Sequence, residues 1–132
     1  MTLFAYTIVG LAVTWALYVA YMYVATRAGE GRPVRPLYGA LPGLAETADK
    51  ALVYCFSPQC GPCRPMSKEV DILRGGGAPV FKLDVTEHPE ASRELGIRAT
   101  PTLILVKDGN VARMVLGVRT ADYMRRLLDE AT

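Results

Sequence analysis

The sequence predicts an α/β domain, a mixed central sheet flanked by helices, preceded by one N-terminal transmembrane helix. Three observations lead there. Residues Met1 to Thr26 contain no Asp, Glu, Lys, Arg or His, so every charge falls in the later part of the chain. In that later part, short apolar runs alternate with stretches whose apolar residues recur at helical spacing. The last two apolar runs are joined by Asp108-Gly109-Asn110, the chemistry of a tight hairpin turn.

Leu3 to Ala25 would form about 35 Å of helix at about 1.5 Å per residue, more than the roughly 30 Å hydrocarbon core. Tyr18, Tyr21 and Tyr23 crowd its C-terminal end, where amphipathic rings prefer the membrane interface. A cleaved signal peptide fits less well: there is no basic leading segment, the apolar stretch is too long, and no clean A-x-A site follows. A buried soluble helix fits poorly too, because so small a domain has little with which to cover an all-round apolar helix. Residues 1–26 are therefore read as an anchor in contact with lipid through residues 3–25. Gly29, Gly31, Pro33, Pro36, Gly39, Pro42 and Gly43 make residues 27–43 read as a tether, extended where proline dictates, with Val34 to Tyr38 as a short edge strand.

Residues 44–132 are read as the domain. Leu41, Leu44, Ala45 and Ala48 are spaced for one face of a short helix. Ala51 to Phe56 is a strand, followed by a helix to about Leu73 that carries Met66, Val70 and Leu73 on one side. Pro65 falls early enough to be tolerated there, and Arg74-Gly75-Gly76-Gly77 ends the helix. Val80 to Val85 is a second strand. His88-Pro89 opens a short helix that Gly96 closes, with His88 a capping or surface residue. Thr102 to Val106 and Val111 to Leu116 form the hairpin. Thr120 caps a last helix with the apolar stripe Tyr123, Met124, Leu127 and Leu128. The order β-α-β-α-β-β-α implies helices on both faces of a mixed sheet. A net charge of +2 without a basic patch argues against nucleic acid as a partner, and no phosphate-binding glycine loop is present.

Cys60-Gly61-Pro62-Cys63 stands at the junction of the first strand and the helix. Unpaired N–H groups and the dipole at a helix start favour a thiolate, lowering the ordinary thiol pKa of about 8.5. A second thiol three residues on can close a small disulfide ring, so the motif proposes dithiol–disulfide exchange. A closed zinc site would need four ligands, and only Cys55 and His88 remain. A purely structural disulfide over so short a loop would fix almost no chain entropy. Cys55, on an apolar strand, is read as a small buried core residue rather than a third redox thiol.

From about Ala51 onward the chain resembles the thioredoxin family. Cys60-Gly61-Pro62-Cys63 is similar to that family's active-site motif, and Gly96 to Thr102 to its segment with a cis-proline opposite the site. The resemblance makes Pro101 the cis residue, with Thr100, Gly61 and Pro62 beside an extended substrate. Lys82, Asp84, Gly109 and Gly117 also fall where the family has similar residues. Two departures concern tuning and the substrate rim. Tyr54 stands where family members often carry a buried Asp, so a carboxylate that would take the resolving thiol's proton is replaced by a phenol, and Lys82 loses its expected partner. Pro58-Gln59 stands where a Trp commonly precedes the first Cys.

The resemblance implies a protein-disulfide reductase in which Cys60 attacks and Cys63 resolves. It implies a disulfide-containing client protein and an upstream electron-donor reductase as partners, with no metal or organic cofactor beyond the Cys60–Cys63 disulfide. An extracytoplasmic oxidase or isomerase, or a non-enzymatic assembly subunit, are the alternatives. Arg27, Arg32 and Arg35 directly after the span favour the cytoplasmic side for the domain, against the outward-facing orientation of many similar anchored proteins.

Overall fold

The computed structural model describes residues 1–46 and 49–130. A long helix, α1 (Thr2–Arg27), leads into strand β1 (Lys50–Phe56), α2 (Cys63–Gly75), β2 (Val80–Asp84), α3 (Pro89–Glu94), β3 (Thr102–Lys107), β4 (Asn110–Leu116) and α4 (Ala121–Glu130). The sheet order is β2-β1-β3-β4. β1 and β2 are parallel, whereas β3 runs antiparallel to both β1 and β4. This is the mixed sheet that the alternation of strands and helices predicts.

The period-2 geometry of the strands sorts their side chains into two cores. Leu52, Tyr54, Leu103, Leu105 and Val115 face α2 and α4, where Met66, Val70, Leu73, Met124, Leu127 and Leu128 cover them. Ala51, Val53, Cys55, Ile104, Val106, Val111 and Met114 face the opposite way. β1 is buried on both faces along its middle, which is why it reads as a continuous apolar run. The β3–β4 turn places both Asp108 (φ 52°) and Gly109 (φ 77°) in the left-handed region, the geometry that matches strand twist in a two-residue hairpin. Thr120 Oγ1 accepts from Tyr123 N at 3.3 Å and caps α4. His88 occupies the residue before α3.

The Pro/Gly-rich stretch is folded rather than extended. Val34, Leu37, Leu41 and Leu44 are buried against the second core, alongside Leu95. Burying each such side chain contributes about 1.5–3 kcal/mol, enough to hold the stretch against the domain. The expected strand from Val34 to Tyr38 is instead a 3₁₀ turn, Arg35–Leu37, and only Pro33 bridges to Asn110. Pro36 inside that turn fixes a helical φ and has no N–H for a ladder. The expected short helix around Leu41 to Ala45 is a run of turns, in which Gly43 adopts φ 91°. Ala48 lies outside the described residues.

α1 is apolar, and its residues from Thr2 to Ala20 are exposed all round. By length and composition it is a candidate membrane span. From Tyr21 onward it meets the domain, and Thr26 and Gly29 are buried there.

Candidate redox site

The site is assembled at the end of the sheet where β1 stops and β3 starts. Cys55 pairs with Thr102 in register, so Phe56 and Pro101 continue side by side beyond it. From Phe56 the chain turns through Ser57 to Gly61, with Cys60 N donating to Ser57 O at 3.2 Å. α2 begins at Cys63, after Pro62. Cys60 therefore sits in the turn ahead of the helix, two residues before the cap. The sequence reading placed it at the helix start itself.

Cys60 and Cys63 form a disulfide, with Cα atoms 5.3 Å apart. Their exposures differ. Cys60 is half-buried, Gly61 and Pro62 are exposed, and Cys63 is buried at 3 %. The Thr100–Pro101 bond is cis, Pro101 is buried and Thr100 is half-buried. Gly117 N donates to Pro101 O at 2.9 Å and Thr102 Oγ1 to Ala99 O at 2.7 Å, which fixes this loop against the end of β4. Beside it lies an open depression of about 370 Å³ bordered by Ser57, Thr86, Arg93, Ile97, Arg98 and Thr100. Asp84 ends β2 nearby, and the Thr86 hydroxyl holds its carboxyl below the usual range.

Behind the disulfide, Tyr54 is fully buried. Its hydroxyl donates to Cys63 O at 2.8 Å and shares a hydrogen bond with Ser67 Oγ at 2.9 Å. Desolvation pushes the phenol above its ordinary pKa, so near neutral pH it is a donor and not a base. Lys82 lies beside Tyr54 in register and pairs with Asp71 at 3.3 Å, its ammonium 5.5 Å from the centre of the Phe56 ring. The partner that the sequence reading took from Lys82 is thus replaced by a carboxylate on α2. Ser67 and Asp71 were missed by sequence reasoning, although they stand four and eight residues after Cys63 and so share its side of the helix. Cys55 faces the opposite core, free and fully buried, and burial drives its thiol pKa far up.

Among the described residues no group of three or more His, Cys, Asp or Glu could hold a metal ion.

Comparison with known proteins agrees with this geometry. The thioredoxin family model matches residues 43–130. The chain is 31 % identical to a thioredoxin of Bacillus subtilis over 90 residues, covering 65 % of this chain and 86 % of that one. It is 34 % identical to a thioredoxin of Listeria monocytogenes over 74 residues, 54 % of this chain and 72 % of that one. A mutant thioredoxin from Halobacterium salinarum superposes with a TM-score of 0.62 at 30 % identity, over 67 % of this chain and 80 % of that structure. With a close cysteine pair, a cis-proline loop beside it and this sheet order, the chain belongs to the thioredoxin family, whose members exchange dithiols with disulfide-containing substrates.

Proposed function

We propose that this protein is a membrane-anchored protein-disulfide reductase acting through Cys60 and Cys63. The observation that carries the reading is the unequal exposure of the two cysteines: Cys60 is half-buried at the surface and Cys63 is 3 % exposed behind it. The Cys60 thiolate attacks one sulfur of a client disulfide, forming a Cys60–client bond and releasing the other client sulfur as a thiolate. Cys63 loses its proton and attacks Cys60 Sγ, closing the ring and releasing the second client thiolate. The client gains two electrons and, on protonation, two hydrogens. An upstream dithiol reductant returns two electrons to the Cys60–Cys63 disulfide. Gly61, Pro62, Thr100 and Pro101 form the rim that an extended client segment meets, while Tyr54 and Lys82 shape the surroundings of the buried thiol.

The unbroken apolar helix α1, exposed from Thr2 to Ala20, supports anchoring in lipid. Residues 1–26 serve as the anchor and the remainder as the domain with its lead-in. Arg27, Arg32 and Arg35 after the span favour the cytoplasmic side.

Trapping tests the assignment. Cys63→Ser should accumulate mixed disulfides on acid quenching, and Cys60→Ser should not; equal trapping would reverse or remove the roles. A reduction potential near that of a reductant, about −270 mV, is expected for the full chain, whereas one near −120 mV would make it an oxidant. Membrane-impermeant maleimide should label reduced Cys60 only after lysis; labelling of intact cells would place the domain outside.

A further inference from the structure

The redox site and the anchor leave the domain at the same pole. β1 ends at Phe56, β3 begins at Thr102 and β4 ends at Leu116, so these three strand ends and the Cys60 turn share one end of the sheet. The opposite end carries Lys107 to Asn110. The lead-in runs antiparallel to β4, and its contacts fix its direction. Val34 N donates to Gly109 O at 3.0 Å, Val111 N to Arg32 O at 2.8 Å, and Met114 N to Glu30 Oε1 at 3.3 Å. Followed backwards from Val34, the chain therefore climbs from the far pole toward the redox pole. α1 continues that course. Tyr23 and Arg27 border Leu116 and Arg119, and Arg98 donates to Tyr21 Oη at 3.4 Å with its guanidinium 5.9 Å from the ring centre. Arg98 is three residues before Pro101, within about 10 Å along even a fully extended chain.

The helix leaves no room for a spacer. Thr2 to Ala20 is the part free of the domain, and its roughly 28 Å of helix is consumed by a hydrocarbon core of roughly 30 Å. Tyr21 then falls at the headgroup level, where tyrosine rings collect. Arg98 and Arg119 on the same pole are placed for anionic headgroups, and Val118 stands exposed at 46 % beside them.

We propose that the redox pole faces the bilayer, and that the client is a disulfide held at the membrane surface in another membrane-anchored protein. This rests on the anchored-reductase reading above. A folded protein free in solution would have to enter the gap between Cys60 and the headgroups, whereas a juxtamembrane segment already lies there, at high effective concentration.

The test uses the full chain reconstituted into phosphatidylcholine–phosphatidylglycerol vesicles, with Cys60→Ser and Cys63→Ser in the background. A fluorophore is attached at Val118→Cys or at Lys107→Cys, and quenched by lipids spin-labelled on the headgroup. The two positions are about 20 Å apart along the sheet. Strong quenching at position 118 and weak quenching at 107 is expected; equal or reversed quenching overturns the orientation. Flotation after a carbonate wash separates the two readings. A chain that does not float overturns the anchor and this inference together, whereas a floating chain with equal quenching overturns the inference alone. In the chain with both cysteines, a twenty-residue Gly/Ser insertion between Arg27 and Ala28 should raise the reduction rate of a folded, water-soluble disulfide protein about fivefold or more, by freeing the pole. An unchanged rate overturns the client class.

Discussion

The Tyr54 hydroxyl lies 2.8 Å from the carbonyl oxygen of Cys63, and so ties the central strand to the first residue of the helix that carries the buried thiol. Together with Ser67 at 2.9 Å, it fastens that helix start from behind. The position shapes the backbone around Cys63 without offering a proton acceptor.

Tyr54→Phe removes that tie and keeps the ring. A buried hydrogen bond of this kind contributes about 1 kcal/mol, so the urea midpoint of the variant should fall by about that much in free energy, with an unchanged m-value. Tyr54→Asp should cost more, about 3 kcal/mol or above, because it buries an acid and opens a cavity. An Asp variant as stable as the parent would mean that water reaches this site.

Cys55 sets an alkaline limit on stability. Its folded pKa is raised far above the ordinary thiol value of about 8.5, so its contribution is fully present below pH 8.5 and is lost as pH rises toward the folded pKa. Above about pH 8.5 the unfolded chain sheds this proton and the folded chain keeps it, so stability should fall by about 1.4 kcal/mol per pH unit. Tyr54, also raised, adds to the fall above about pH 10 by the same sign. Cys55→Ala should flatten the limb between pH 8.5 and 10, read by urea unfolding of the oxidised chain. An unaltered slope would assign the limb elsewhere.

The Lys82–Asp71 pair should matter little to stability. Asp71 is 61 % exposed in its side chain, and surface pairs of this kind contribute about 0–1 kcal/mol. Asp71→Asn should shift the unfolding free energy by less than about 0.5 kcal/mol, and by less still in 1 M salt. A loss above 2 kcal/mol would reveal a tightly coupled network around Tyr54.

Gly29 is buried where the lead-in packs against Leu95 and Met114. A Cβ there would lie 2.6 Å from Leu95 O and collide with the Met114 sulfur. Met114 can move aside, but the backbone oxygen cannot. Gly29→Ala should therefore cost about 1–3 kcal/mol and speed proteolysis between residues 28 and 44. Wild-type protease resistance would show that the lead-in docks without this contact.

Most of the domain was legible because its elements carry strong local signals. β1 and β3 are unbroken apolar runs, Asp108-Gly109 is a turn by its chemistry, and the stripe from Met124 to Leu128 has helical period. The cysteine pair and Pro101 were legible as a motif. The lead-in was misread because Gly and Pro dominate its composition, yet Val34, Leu37, Leu41 and Leu44 recur at spacings of three and four. That period recorded a buried face even though no regular helix forms. The partners of Tyr54 and Lys82 were harder to see. Ser67 and Asp71 lie 13 and 11 residues away in the chain, and only the packing of α2 across the sheet brings them together.

The buried lead-in also means that the folding unit does not begin where family similarity does, at residue 43. A fragment cut there would lose Val34, Leu37 and Leu41 and so remove part of the cover over the core that holds Ala51, Val53, Ile104 and Val106. Such a fragment would be sticky and weakly folded, so soluble expression should start no later than Ala28. The same dependence bears on proteolysis: a cut between Val34 and Leu44 that separates the domain from α1 also takes away part of the core the domain folds around.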